Sequence, residues 1–248
     1  MSCDLFIRSY FRDFDWLVYC LAAIERFGSG FGVVVVAPQS SWAWLKKKVA
    51  FRPGVRFEVC QDYRDDYLGQ QVTKLYADQY SDADWICHVD SDVLFTRPFT
   101  VDDLLVAGKA RVLIRPVALL GRHKPWLQPT EAFLGEPVAF DYMQQPPFTF
   151  PRDLYAQVRR FCLARHGVEL ANYMLTRPPR GFSEFNALGA FAYRYHPEEF
   201  HWVDLSCHDP GPPLCRWYWS REGITPETRE EIETILSQPA VVSADRTG

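Results

Sequence analysis

The sequence predicts an α/β fold, a doubly wound sheet flanked by helices in a single domain, and three observations carry that expectation. Apolar runs of strand length alternate with segments of helical spacing, giving a β-α-β-α-β-α-β order up to residue 92. Val33 to Val36 is an unbroken valine run, and β-branched residues without polar alternation belong in a central parallel strand covered on both faces. Hydrophobic residues make up 48% of the 248-residue chain, enough for a substantial core and too many for disorder.

The elements follow in order. Residues 3–9 form a first strand, and residues 14–27 carry apolar side chains at helical spacing, with Gly28 to Gly30 as the stop. The valine strand comes next, then a short helix over 40–49, the Arg52-Pro53-Gly54 turn and a third strand over 55–60. Residues 70–80 place Val72, Leu75, Tyr76 and Gln79 at helical spacing, and Trp85 to Val89 is a short, mainly apolar and β-prone fourth strand. Right-handed crossovers bring the C-terminal ends of such strands to one edge, so Ser9, Pro38 and Asp90 are expected side by side where ligands bind. A helix starts at Val101, a further strand covers 111–117, helices cover 151–166 and 225–236, and the segment 181–195 lies between those two helices. Between residues 121 and 151, Pro125, Pro129, Pro137, Pro146, Pro147 and Pro151 interleave with Trp126, Phe133, Phe140, Tyr142 and Phe148, which reads as a long irregular binding loop or lid. The final residues are expected to fray.

Composition excludes several functions. The 27 Lys and Arg against 31 Asp and Glu give a net charge of −4 without a basic block, which argues against general nucleic-acid binding. Asp4 and Arg8 interrupt the first apolar residues, so no secretory signal is expected, and no apolar run approaches the ~18 residues of a membrane span. A soluble, cytoplasmic protein is expected, with association at a membrane surface left open. The cysteines, Cys3, Cys20, Cys60, Cys87, Cys162, Cys207 and Cys215, are odd in number and scattered, as buried free thiols in a reducing compartment would be. Cys207-His208 and Cys215 hint at zinc, but no second Cys-x-x-Cys pair completes a tetrahedral set.

The strongest motif is Asp90-Ser91-Asp92 at the exit of the fourth strand. Two carboxylates at i and i+2 can present oxygens to one hard cation, Mg²⁺ or Mn²⁺, which keeps open positions for water and substrate phosphates. The competing reading of an Asp-x-Asp tripeptide is a turn or helix start. Here Val93-Leu94, Arg97-Pro98 and a helix at Val101 follow it, which favours a metal-diphosphate site. Neither a Gly-x-Gly-x-x-Gly fingerprint nor a Gly-Lys-Ser/Thr loop is present, so a cation is left to hold phosphates.

This strand, acidic tripeptide, apolar pair and Arg-Pro sequence resembles the DxD segment of the GT-A glycosyltransferases. The resemblance covers about the first 120 residues and implies a Rossmann-like, mixed sheet, with residues 1–120 as the nucleotide-sugar and metal half and 121–248 as the acceptor half. It implies that Asp90 and Asp92 hold the divalent cation, Asp92 directly and Asp90 shared with a ribose, and that Arg8, Ser9, Tyr10, Phe11 and Ser91 lie where the donor nucleotide sits. Tyr10 or Phe11 would stack on the base or pack under the first helix. Lys74 would meet a phosphate or sugar, or lie on the surface. A third metal ligand from the C-terminal part is expected at His208, with Asp209 as the alternative. The chain departs from the glycogenin-like group, whose glycine-rich metal-histidine segment is not found at the C-terminal end; Arg122-His123-Lys124-Pro125-Trp126 only echoes its Lys-Pro-Trp out of order, which leaves retaining and inverting transfer both open.

Glu184, between Ser183 and Phe185, is the expected catalytic acid or base, because a carboxylate in an apolar segment is costly to bury without a purpose. Its alternative role is at a helix start after Ser183, and Asp141, Asp204 and Asp209 are the acids to examine if Glu184 is structural. The implied activity is transfer of a sugar from a nucleoside-diphosphate sugar, UDP first, to a hydroxyl acceptor such as a glycan. The rivals are a nucleotidyltransferase acting on a sugar phosphate, which needs a Gly-rich basic loop after the first strand that residues 9–14 lack, and a non-catalytic carbohydrate- or protein-binding module.

Overall fold

A computed structural model describes residues 1–121, 124–178 and 180–238. The chain enters as β1 (Cys3–Arg8), runs through α1 (Phe14–Phe27) to β2 (Gly32–Pro38), through α2 (Trp42–Lys48) to β3 (Val55–Cys60), and through α3 (Asp66–Leu75) to β4 (Trp85–His88). β1 pairs in parallel with β2 and with β4, and β2 pairs in parallel with β3. Leu5, Ile7, Val35 and Val36 are wholly buried, which is what the unbroken apolar runs require. From β1 the chain builds outward on one side and then returns to the other. That reversal opens a crevice beyond the carboxyl ends of β1 and β4.

The motif turn leads into β5 (Val93–Phe95), the single-turn α4 (Val101–Leu104), β6 (Leu105–Val106) and β7 (Lys109–Pro116). Then come α5 (Leu127–Leu134), β8 (Phe140–Asp141), β9 (Phe148–Pro151), α6 (Arg152–His166), α7 (Leu170–Leu175), α8 (Glu184–Tyr195), β10 (Phe200–Asp204), β11 (Cys215–Trp217) and α9 (Pro226–Ser237). The mixed α/β architecture has a five-stranded sheet of order β3-β2-β1-β4-β9, a second sheet of order β10-β7-β6 with β8 pairing to β7, and the two-stranded β11-β5 sheet. One cluster of buried side chains runs from Cys3 to Ile232, so the two halves share a core.

Three expectations need correction. The segment 121–151 is not an irregular excursion throughout: it holds α5, and β9 joins the main sheet antiparallel to β4. Its prolines misled because they sit where structure tolerates them, Pro129 in the first turn of α5 and Pro151 at the end of an edge strand. The strand expected at 111–117 exists as β7 but belongs to the second sheet, parallel to β10. The helix expected at 70–80 starts earlier, because the Asp65 side chain accepts from the backbone N–H groups of Tyr67 and Leu68, and it gives way after Leu75 to a tight turn at Ala77–Gln79. The echo at Arg122 and His123 and the expected fraying at 239–248 lie outside the described residues.

Candidate functional site

A cavity of about 870 Å³ opens beyond β1 and β4, and Asp90, Ser91 and Asp92 line it. The motif is fixed from two directions. Val93 N–H donates to the Asp90 carbonyl at 3.0 Å, closing the turn into β5. β5 pairs antiparallel with β11, setting Trp217 opposite Val93, and this pairing carries the following residues back over the motif. Tyr218 N–H donates to the Asp92 carbonyl at 2.8 Å, and Ser220 N–H donates to Asp92 Oδ2 at 3.0 Å.

Lys74, in the last turn of α3, is buried and bridges two acids: its Nζ lies 2.7 Å from Asp90 Oδ1 and 3.0 Å from Glu184 Oε1. Burial disfavours its charge, but the two carboxylates outweigh that and raise its pKa. Glu184 opens α8 at the first helical position after Ser183, whose hydroxyl accepts from Asn186 N–H, so it stands at a helix start and against the cavity at once. Lys74 Nζ also sits 4.8 Å from the Phe185 ring centroid. Behind this group His88 is buried and held neutral by desolvation and the nearby Lys74 charge, with Nε2 2.5 Å from Tyr155 Oη.

The opposite charge balance holds around Asp92. Burial first, and then the negative charge of Asp90 and of Asp13, push the Asp92 carboxyl up to about 7. Burial and the charge of Asp90 push Asp13 up to about 6, against a hydrogen bond from Ser220. Negative charge is thus crowded on this side and is only partly compensated.

The remaining expected donor residues divide. Tyr10 and Phe11 line the cavity with rings 5.6 Å apart, edge to face, and Phe11 is half exposed rather than packed under α1. Arg8 lines it too, but its guanidinium is buried against Asp66, with Nη1 2.9 Å from Oδ2. Ser9 is buried, bonds Ser91 Oγ at 3.2 Å and does not line the cavity. Lys74 is not a surface lysine.

His208 is the clear displacement. It lies outside the cavity, exposed, with Nδ1 3.1 Å from Cys207 Sγ. Asp209 and Asp204 accept backbone N–H groups of Gly211 and Ser206, and Asp141 that of Met143; none lines the cavity. The C-terminal part does return to the motif, but through Ser220. All seven cysteines are free thiols, and only Cys207 among them is exposed.

Sequence reading missed Asp13, Arg12, Arg180, Trp217, Trp219 and Arg221, all of which line the cavity. Trp217 and Trp219 stack at 5.4 Å with a 16° interplanar angle. Arg180 holds φ of 62°, the left-handed region that non-glycine residues seldom occupy. The run of three aromatics Trp217-Tyr218-Trp219 was the available signal; in the fold Tyr218 is buried while Trp219 is exposed.

Among the described residues, no group of three or more His, Cys, Asp or Glu side chains is arranged to hold a metal ion by protein ligands alone. The donor set nonetheless fits Mg²⁺ or Mn²⁺, which bind through one or two carboxylates plus water and substrate phosphates. Asp90 and Asp92 supply such carboxylates in a region crowded with negative charge.

The model of a family of unknown function, DUF6492, matches residues 29–211. No curated protein matches the chain.

Proposed function

We propose that this chain, which belongs to the DUF6492 family of unknown function, is a GT-A type glycosyltransferase that moves a sugar from a nucleoside-diphosphate sugar, UDP first, to a hydroxyl acceptor such as a glycan. The observation that carries this reading is the placement of Asp90-Ser91-Asp92 at the carboxyl end of β4, facing an 870 Å³ cavity at the strand-order reversal. Such a volume accommodates a nucleotide-sugar, and the cavity reaches from Tyr10 and Phe11 past the motif to Glu184 and Trp126.

In this reading Asp90 and Asp92 hold the divalent cation, whose charge stabilises a departing diphosphate. Arg12, Arg180 and Arg221 line the same cavity with no acidic partner among the described residues and face the phosphates. Tyr10 and Phe11 offer rings to the base. Lys74 fixes Asp90 and Glu184 relative to each other, so that the acid of the sheet and the acid of α8 act as one rigid unit. Glu184 then accepts the proton of the acceptor hydroxyl or stabilises positive charge on the sugar ring. A cytoplasmic location belongs to the same proposal.

Calorimetric titration with UDP, with and without Mn²⁺, tests the first half; heat only in the presence of Mn²⁺ is the expected result, and binding indifferent to the cation rejects it. A screen of nucleotide-sugars for slow hydrolysis without acceptor then names the donor.

A further inference from the structure

A second surface lies outside the cavity, on α2 and the turn that follows it. Trp44, Phe51 and Phe11 are 58%, 53% and 50% exposed, an unusual cost for three large aromatic side chains on α2 and the segments that adjoin it. Phe11 and Phe51 each adjoin α2: Phe11 N–H donates to Ser41 Oγ at 3.2 Å just before it, and Phe51 meets the Trp42 ring at 6.3 Å and the Phe57 ring at 4.5 Å.

Lysines share the helix with Trp44. Lys46, Lys47 and Lys48 end α2 and are all exposed. Lys48 pairs with Asp15 at 2.8 Å. Lys46 and Lys47 have only aromatic partners among the described residues, with Nζ 5.3 Å from the Trp42 ring and 5.9 Å from the Trp44 ring. This local positive charge stands out in a chain of net charge −4.

The composition selects the partner. Protein interfaces favour aromatic residues and Arg but are depleted in Lys, whereas Trp beside Lys is the combination enriched where a bilayer meets water. We propose that this face binds the surface of an anionic lipid bilayer, with Trp44 and Phe51 entering the headgroup boundary and Lys46 and Lys47 meeting lipid phosphates. No described helix is long and apolar enough to cross a membrane, so the contact is with the surface. Phe11 belongs both to this face and to the cavity lining. Docking therefore sets the cavity mouth beside the headgroups, where a lipid-borne hydroxyl compound reaches it.

The test is co-sedimentation of the full chain with phosphatidylcholine vesicles, with and without phosphatidylglycerol, at low and high salt and without nucleotide. The expected result is binding to the anionic vesicles only, weakened by salt, and reduced at least about 20-fold in the Lys46→Glu/Lys47→Glu variant. Trp44→Ala/Phe51→Ala should reduce it further at high salt than at low salt, as insertion requires. Both variants lie outside the cavity, so an unchanged thermal midpoint shows that folding is not the cause. Wild-type protein that stays in the supernatant with anionic vesicles overturns the proposal. Equal binding by the charge-reversed variant does so too, as does a dimer seen by light scattering that needs Lys46 and Lys47 while vesicles are ignored. Because no nucleotide is present, failure here and failure of the glycosyltransferase reading are independent results.

Discussion

The amide of Ser220 donates to Asp92 Oδ2 at 3.0 Å across 128 residues of sequence. The pairing of β11 with β5 makes that contact possible, and it joins the C-terminal segment to the acidic motif. Asp92 is therefore both a candidate cation ligand and an anchor for the loop bearing Trp219 and Arg221.

Asp92→Asn retains an acceptor for Ser220 N–H but removes the negative charge. The expected outcome is loss of Mn²⁺-dependent UDP affinity by roughly 100-fold with a thermal midpoint at or above that of wild type, since the buried negative charge is gone. Calorimetry and thermal unfolding on one preparation check it. Undiminished Mn²⁺-dependent affinity in this variant would sink the assignment of Asp92.

Lys74→Met leaves Asp90 and Glu184 facing each other without their cation. Breaking a buried ion pair by removing one partner costs about 3 kcal/mol, so a large drop in midpoint is expected. Glu184→Gln in the same background should recover part of it, because one of the stranded charges is gone. A fully additive double variant would show that the Lys74 to Glu184 contact, 3.0 Å long, carries no coupling.

Glu184→Gln alone keeps the volume and a hydrogen bond to Lys74 while ending proton acceptance. Turnover should fall by roughly 100-fold and UDP affinity little. Near wild-type transfer would return Glu184 to its position at the start of α8.

The pH dependence follows from Asp92. Its carboxyl, near 3.8 when unfolded, is pushed up to about 7 by burial and by Asp90. Between those values the folded state binds the extra proton, so without metal this group's contribution to stability falls as pH rises from about 4 to 7 and is flat above. Protons compete with the cation, so Mn²⁺ affinity should rise through the same range. Titrations across pH check both slopes, and Asp92→Asn should flatten them.

Much of this was legible locally. Strands β1 to β4, the crossover helices and the motif each announce themselves by a run or a spacing, because those patterns are carried by the element's own residues. What escaped was long-range. Ser220 reaches Asp92 only through β11, a three-residue strand with no pattern of its own, and Asp13 reads as an ordinary helix-start acid until Asp90 is set near it. His208 failed for the converse reason: it lies in the C-terminal part, from which the resemblance implies a third ligand, but the chain passes through β11 before it turns to the cavity. Lys74 was ambiguous because a single lysine on a helix does not reveal which face the sheet will cover.

The dependence of the site on β11 also orders its birth on the ribosome. All five strands of the main sheet have emerged once Pro151 has left the exit tunnel, while the residues that close over Asp92 are translated later. A nascent chain thus has every strand of its main sheet outside the tunnel before the residues that complete its cavity exist, and because Phe200, Leu214, Cys215, Tyr218 and Ile232 belong to the shared core, those late residues complete the packing as well as the site.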